Sequence, residues 1–430
     1  MAEGRRRILL KTFLLALLLA LAAAPRLYSL DSRPLFVPDE SMSIALGRYY
    51  VFGKLTGYGF LYRNGTIDLY WPHPYNYEHP PLAKILIGVS IFLFGDTLSG
   101  ARLLGALMGV TAVVLLFFIA RRLFGCFYMG FLSASLLAVE TLHIGMSRVA
   151  MLDIYMLFFE MTGFAGLLLF GDRFKVSYPL SGLMFGAAIA SKWLGIYGFL
   201  AAAAYIVYDI MHSKRRSRRS RIFFAFIGLF LAFLVYIGSY IPYMTMDYSS
   251  DPFVGKLAGY PYLDLSKHSF RDFLDLQLWM LRFMLYWHQT GSQYGYLFMS
   301  PLSYLIPDNT GAPVLWMNAA LFYSSLAIAV FLLIFNLRLR SNQREVVTLA
   351  WYVPAMLPLI QKGFVWYLIF AVPSMCLLAA MAFQSLLNVG SSNELRATVW
   401  KRAGKILAVL LVTSVVTVSI YNLLGYAIIK

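Results

Sequence analysis

The sequence predicts an all-α polytopic membrane protein with about eleven transmembrane helices, on three observations. Hydrophobic residues make up 60% of the 430 positions and charged residues only 13%, about half the charged share of a soluble globular chain. Apolar runs long enough to cross a ~30 Å hydrocarbon core recur from one end to the other. Lys and Arg gather between those runs, at Arg5-Arg6-Arg7, Arg121-Arg122, Lys214 to Arg221, Arg338-Leu339-Arg340 and Lys401-Arg402. That spacing marks cytoplasmic loops.

The formal net charge of +16 is therefore a topology signal. A basic soluble chain would suggest nucleic acid, but no aromatic residues interleave with these runs as a single-strand binding surface needs. Membrane lipid is the expected partner of the basic excess, and no nucleic acid is expected. The two cysteines, Cys126 and Cys376, fall in apolar runs far apart and give no disulfide framework or metal site.

The first span is expected at about 8–28. Its basic flank and the small residues Ala22-Ala23-Ala24 also fit a cleaved signal peptide. The length of the apolar run favours a retained span with a cytoplasmic amino terminus. A long first outer loop, 31–99, follows, then spans at about 100–120, 126–142 and 150–170. The apolar stretch from Tyr178 to Met211 is too long for one span. Breaking it at Ser191-Lys192-Trp193-Leu194-Gly195 returns the basic 214–221 segment to the inside and brings Lys192 to the outer surface.

The remaining spans are read at 222–245, 313–336, 346–360, 364–386 and 406–427, with edges uncertain by several residues. Between the first two of these lies a second outer loop, 247–311, in which Phe270 to Trp287 reads as an interfacial amphipathic helix. The whole chain, 1–430, thus reads as one transmembrane domain. No fixed-period repeat argues for an inverted-repeat transporter. No soluble segment is large enough for a separate nucleotide-binding domain.

Polar residues at a membrane surface are costly unless paired, solvated or used, and the expected outer face holds an unusual set. It comprises Asp39, Glu40, Glu78, His79, Lys84, Arg102, Arg148, Asp153, Lys192, Arg282, His288 and Lys362. Bland readings stand beside the functional ones. Arg102 and Arg148 fit cations snorkelling from helix ends, Lys192 a ligand of carbonyls at a helix break, and His79 a cap before Pro80-Pro81. A divalent metal held by Asp39, His73, Glu78 and His79 would suit mixed His/carboxylate ligands. The spacing does not support that site, so no metal or cofactor is expected.

Five blocks carry a resemblance. They are Asp39-Glu40; His79-Pro80-Pro81-Leu82-Ala83-Lys84; Ser147 to Asp153, read SRVAMLD; Ser191 to Tyr197, read SKWLGIY; and Gly311 to Trp316, read GAPVLW. In this order they resemble the protein O-mannosyltransferase family, polyprenyl-phosphate-sugar transferases of the GT-C class. The resemblance implies a GT-C-type bundle with the catalytic carboxylate in the first outer loop. It implies inverting transfer of a sugar, mannose in the family, from a polyprenyl or dolichyl phosphate to protein Ser or Thr hydroxyls outside the membrane.

Under that resemblance Asp39 is the general base. Glu40, His79, Lys84, Arg148 and Asp153 position the substrates, and Arg102, Lys192, Arg282 and Lys362 are the cations for the lipid phosphate. Lys362 stands where family members usually carry Arg, and the 247–311 segment lacks the soluble domain inserted in eukaryotic members. A prokaryotic cell membrane, bacterial or archaeal, is the expected location, and pairing of copies is common in the family. Two other readings stay open: the same scaffold acting on a lipid or glycan acceptor, as in aminoarabinose transferases, and a transporter or flippase.

Overall fold

The computed structural model describes residues 2–32, 39–52, 59–62, 65–68, 79–245, 273–282, 318–336, 343–357 and 365–388. Helix α1 (Ala2–Leu27) leads to α2 (Asp39–Phe52), a hairpin of β1 (Gly59–Tyr62) and β2 (Gly65–Asp68), and α3 (Leu82–Phe94). Then come α4 (Leu98–Phe124), α5 (Phe127–Val139), α6 (Thr141–Ser147), α7 (Leu152–Leu169) and α8 (Phe174–Ser191). Next are α9 (Gly195–His212), α10 (Arg215–Ser239), α11 (Ile241–Thr245) and a helix over 273–282, here α12. The described residues end with α13 (Ala319–Asn336), α14 (Gln343–Ala355), a 3₁₀ turn (Val365–Phe370) and α15 (Val372–Asn388).

Five described helices are long and apolar enough to cross a membrane, six if the bent pair α5–α6 counts as one. The chain is an integral membrane protein. Helix α7 is its axis: 78% of its apolar window is buried, against 11% for α1 and 17% for α10. A helix apolar all round belongs inside a bundle, and Tyr155, Met156, Met161 and Phe164 fill the space around α7. Where α8 meets α10, the two backbones touch. A Cβ on Gly182 would sit 2.0 Å from the Gly228 carbonyl oxygen, so only glycine permits that approach.

Some element boundaries follow from local chemistry. Thr97 caps α4 by accepting from the Gly100 N–H at 3.0 Å, and Gly125 ends it in a left-handed conformation at φ 64°. The expected span at 126–142 instead bends by 63° at Glu140. There the backbone turns extended, and the Glu140 carboxylate restarts the helix as the cap of α6, accepting from the His143 N–H at 2.7 Å. The break expected around Lys192 is present: α8 ends at Ser191, Lys192 is extended, and α9 begins at Gly195.

The first loop holds more structure than its polar sequence announced. It contains α2, the antiparallel hairpin (Gly59 opposite Asp68, Tyr62 opposite Gly65) and α3. At 13 residues α3 is apolar but too short to cross the membrane alone. Helix α12 lies inside the stretch read as amphipathic. Its Phe273, Leu276, Trp279 and Met280 are buried with Leu46 and Tyr49 of α2 and with Tyr240, while Leu274, Leu278 and Leu281 are exposed. Helix α12 thereby covers part of α2. The span expected at 406–427 lies outside the described residues.

Candidate active site at the head of the first loop

Asp39 and Glu40 open α2, where the unpaired N–H groups of a helix start favour negative charge. Their fates differ. Glu40 is fully buried and takes the Arg102 guanidinium in a two-pronged pair, Nε to Oε1 and Nη2 to Oε2, each 2.6 Å. It also accepts the Ala150 N–H at 2.8 Å, and Arg102 donates from Nη1 to the Leu30 carbonyl at 2.7 Å. A bidentate Arg–carboxylate contact fixes orientation as well as distance. One buried pair thus ties together the loop after α1, the start of α2, the start of α4 and the chain just before α7.

Arg148 steadies the same loop from the other side. It donates from Nη1 to the Pro25 and Tyr28 carbonyls at 2.6 and 2.8 Å, and from Nη2 to the Ser29 carbonyl at 3.0 Å. These include carbonyls that the end of α1 leaves without helical partners. Ser29, at φ 47°, is the non-glycine residue held in the left-handed region there. Close by, α2 and α3 touch at glycine: a Cβ on Gly88 would lie 2.1 Å from the Gly47 carbonyl oxygen. That contact sets α2 against the residues following His79.

Among the described residues no cation holds both oxygens of Asp39, and its environment is mixed. Burial pushes its pKa up to about 6, the nearby Lys192 charge pulls it down, and Asp153 pushes it up. Lys192 and Asp153 form a second buried pair, with Nζ at 2.7 and 2.9 Å from the two carboxylate oxygens, and Tyr367 lies beneath Nζ with its ring centroid 4.4 Å away. His79 belongs to the same cluster. Burial holds its pKa well below the ordinary value, and the charges of Lys192 and Lys84 add to that, so the ring is neutral. Its Nδ1 is buried and meets no polar partner among the described residues. Lys84 donates to the His79 carbonyl at 2.7 Å, which fixes the turn ahead of α3.

Of the residues singled out in the sequence, Asp39, Glu40, His79, Lys84, Arg102, Arg148, Asp153 and Lys192 gather at one end of the bundle. Arg102, expected at the lipid phosphate, is fully buried and engaged by Glu40 and Leu30. Arg282 sits exposed as the last described residue of α12. Lys362, His288, His73, Glu78 and the GAPVLW block lie outside the described residues. Among the described residues, no group of three or more His, Cys, Asp or Glu is placed to hold a metal ion.

The sequence reading missed a buried set beside this site. Arg26 donates to the Leu137 and Ala138 carbonyls at 3.1 and 3.0 Å and meets His143 Nδ1 at 2.7 Å, while Glu140 accepts the Asn318 N–H at 3.0 Å. Charges within apolar runs were the available signal. Tyr367 was visible only as part of an aromatic run.

The chain is thus a helical membrane bundle with buried ion pairs at one end, beside a loop that carries a largely desolvated carboxylate. The structure of the Saccharomyces cerevisiae protein O-mannosyltransferase Pmt1-Pmt2 complex bound to the sugar donor has a similar fold. The TM-score is 0.69 at 13% identity, covering 95% of this chain and 89% of that one. ArnT from Cupriavidus metallidurans bound to undecaprenyl phosphate gives a TM-score of 0.54 at 17% identity, over 96% and 75%. Both likenesses are of fold, and this chain shares that fold.

Residues 78–240 match the family described as dolichyl-phosphate-mannose-protein mannosyltransferase, the family that the motifs resemble. Among curated relatives, the polyprenol-phosphate-mannose–protein mannosyltransferase of Mycolicibacterium smegmatis is 29% identical over 203 residues, covering 39% of each chain. The match thus spans about two fifths of that relative's length.

Proposed function

We propose that the chain is an inverting glycosyltransferase that moves mannose from a polyprenyl phosphate to Ser or Thr hydroxyls of a protein acceptor, on the outer face of the membrane. The observation that carries this reading is Asp39: a carboxylate with a raised pKa near the Lys192–Asp153 pair, with no ion-pair partner among the described residues, beside a fully clamped Glu40. A base with a pKa near 6 is ionised at neutral pH yet more basic than a solvent-exposed aspartate, which suits proton abstraction. Asp39 takes the acceptor's hydroxyl proton as the oxygen attacks the anomeric carbon. The bond from that carbon to the phosphate oxygen breaks on the opposite side, and the lipid phosphate leaves without needing a proton.

The other residues divide into a clamp and a pocket. Glu40, Arg102 and Arg148 hold the chain on either side of Asp39 in place; here Arg102 is a positioning residue, not a phosphate ligand. Lys192 supplies positive charge, oriented by Asp153 and Tyr367. A developing phosphate anion calls for such preorganised charge, with Arg282 and Lys362 as further candidates from the second loop and the segment before the 3₁₀ turn. Neutral His79 offers Nδ1 to a sugar or acceptor hydroxyl. Purified protein given polyprenyl-phosphate mannose should mannosylate a Ser/Thr peptide, with Asp39→Asn inactive. Transfer to a lipid acceptor and never to peptide would overturn the acceptor assignment.

A further inference from the structure

At the end of the bundle away from Asp39 lies a groove of about 360 Å³ between α8, α9 and α10. It follows from the glycine contact described above. Backbone-to-backbone packing of α8 on α10 leaves α9 standing off, and its small residues Ala202 and Ala203 leave a trough. The lining is apolar, with Phe185, Phe199 and Ile206 along its length. Its rims face the surroundings, Val207 being 55% and Phe226 65% exposed. From Phe199 to Ile210 the groove runs about 16 Å at the ~1.5 Å helical rise per residue, close to the ~15 Å depth of one leaflet's hydrocarbon.

One end of the groove is strongly basic. Helices α9 and α10 are joined at 213–214, and Lys214, Arg215, Arg216, Arg218 and Arg219 are all exposed around that joint. Arg218 bends back to donate to the Met211 carbonyl at 2.9 Å, which keeps it over the end of α9. Asp209, the acid of this corner, is already taken by Arg221 and by the Tyr178 hydroxyl, so it leaves the basic run unneutralised. Positive charge at one end and a leaflet-deep apolar trough behind it match a lipid with an anionic head.

We propose that this groove binds an anionic phospholipid, one acyl chain lying along α9 and the phosphate at the 214–219 arginines. The site is separate from the transfer chemistry. Clustered Lys and Arg at a membrane surface each favour anionic headgroups by about fivefold. The test is native mass spectrometry of the full-length protein released from detergent with phosphatidylglycerol or phosphatidylcholine. Phosphatidylglycerol should be retained at least about fivefold better. Ala203→Trp, which fills the trough, and the exposed double change Arg218→Gln with Arg219→Gln should each remove that preference while polyprenyl-phosphate binding persists. Equal retention of the two phospholipids would overturn the proposal. So would loss in the arginine variant alone, the sign of charge attraction without a groove. So would loss of polyprenyl phosphate in Ala203→Trp, which would make the trough the donor's.

Discussion

The two ends of the bundle handle charge in opposite ways. At the Asp39 end, Glu40–Arg102 and Lys192–Asp153 are buried pairs whose partners are 62 and 39 residues apart. At the other end, Arg122 and Asp172 stand 3.6 Å apart with most of the aspartate in the open, and the 214–219 cations are exposed. Exposed pairs contribute about 0–1 kcal/mol, whereas removing one member of a buried pair costs about 3–5 kcal/mol. The costly charges are thus concentrated where long-range contacts hold a loop in place. The cheap ones mark which side of the membrane a loop faces. The difference separates residues that build a site from residues that orient a chain.

The contrast can be broken experimentally, and the largest effect should come from Asp39. Asp39→Asn should lower kcat by roughly 10²–10⁴, the usual contribution of a general base, with donor binding retained in an equilibrium assay. Lys192→Met should lower transfer too, and it leaves Asp153 buried and unpaired. A stability loss of about 3–5 kcal/mol should appear in a thermal or denaturant melt. Arg102→Met should cost a similar amount through Glu40, but its residual activity per folded molecule should exceed that of Lys192→Met. That comparison separates a positioning residue from one proposed to face the phosphate. At the opposite end, Arg122→Gln should shift stability by no more than about 1 kcal/mol and leave transfer unchanged.

Much of this was legible in the sequence, for identifiable reasons. The break at Lys192 could be read because the basic 214–221 run had to fall on the same side as the other clusters. The head of the first loop could be read because acids at a membrane surface are few. The Arg102–Glu40 pair was hidden because its partners are 62 residues apart, and nothing local distinguishes a clamped guanidinium from a waiting one. Helix α3 was hidden because its 13 apolar residues are too few to register as a span and it follows a polar, Pro-rich stretch. The bend at Glu140 was hidden because the side chain that stops one helix also caps the next, so the apolar run reads as continuous.

The raised pKa of Asp39 gives the account its most direct test. A carboxyl lifted to about 6 is protonated below that pH and cannot accept the acceptor's proton there. Activity should therefore rise with pH through that value and level off above it. Because the folded pKa lies above that of an unfolded aspartate, the same group makes the fold slightly less stable as pH rises across the interval, so the gain in rate cannot come from better folding. The decisive measurement is kcat/KM for peptide mannosylation from about pH 5 to about pH 8, in the wild type and in Asp39→Asn. The account predicts a rising limb with an apparent pKa near 6 in the wild type and a low, pH-independent residue in the variant. The same rising limb in Asp39→Asn, or undiminished turnover, would contradict it.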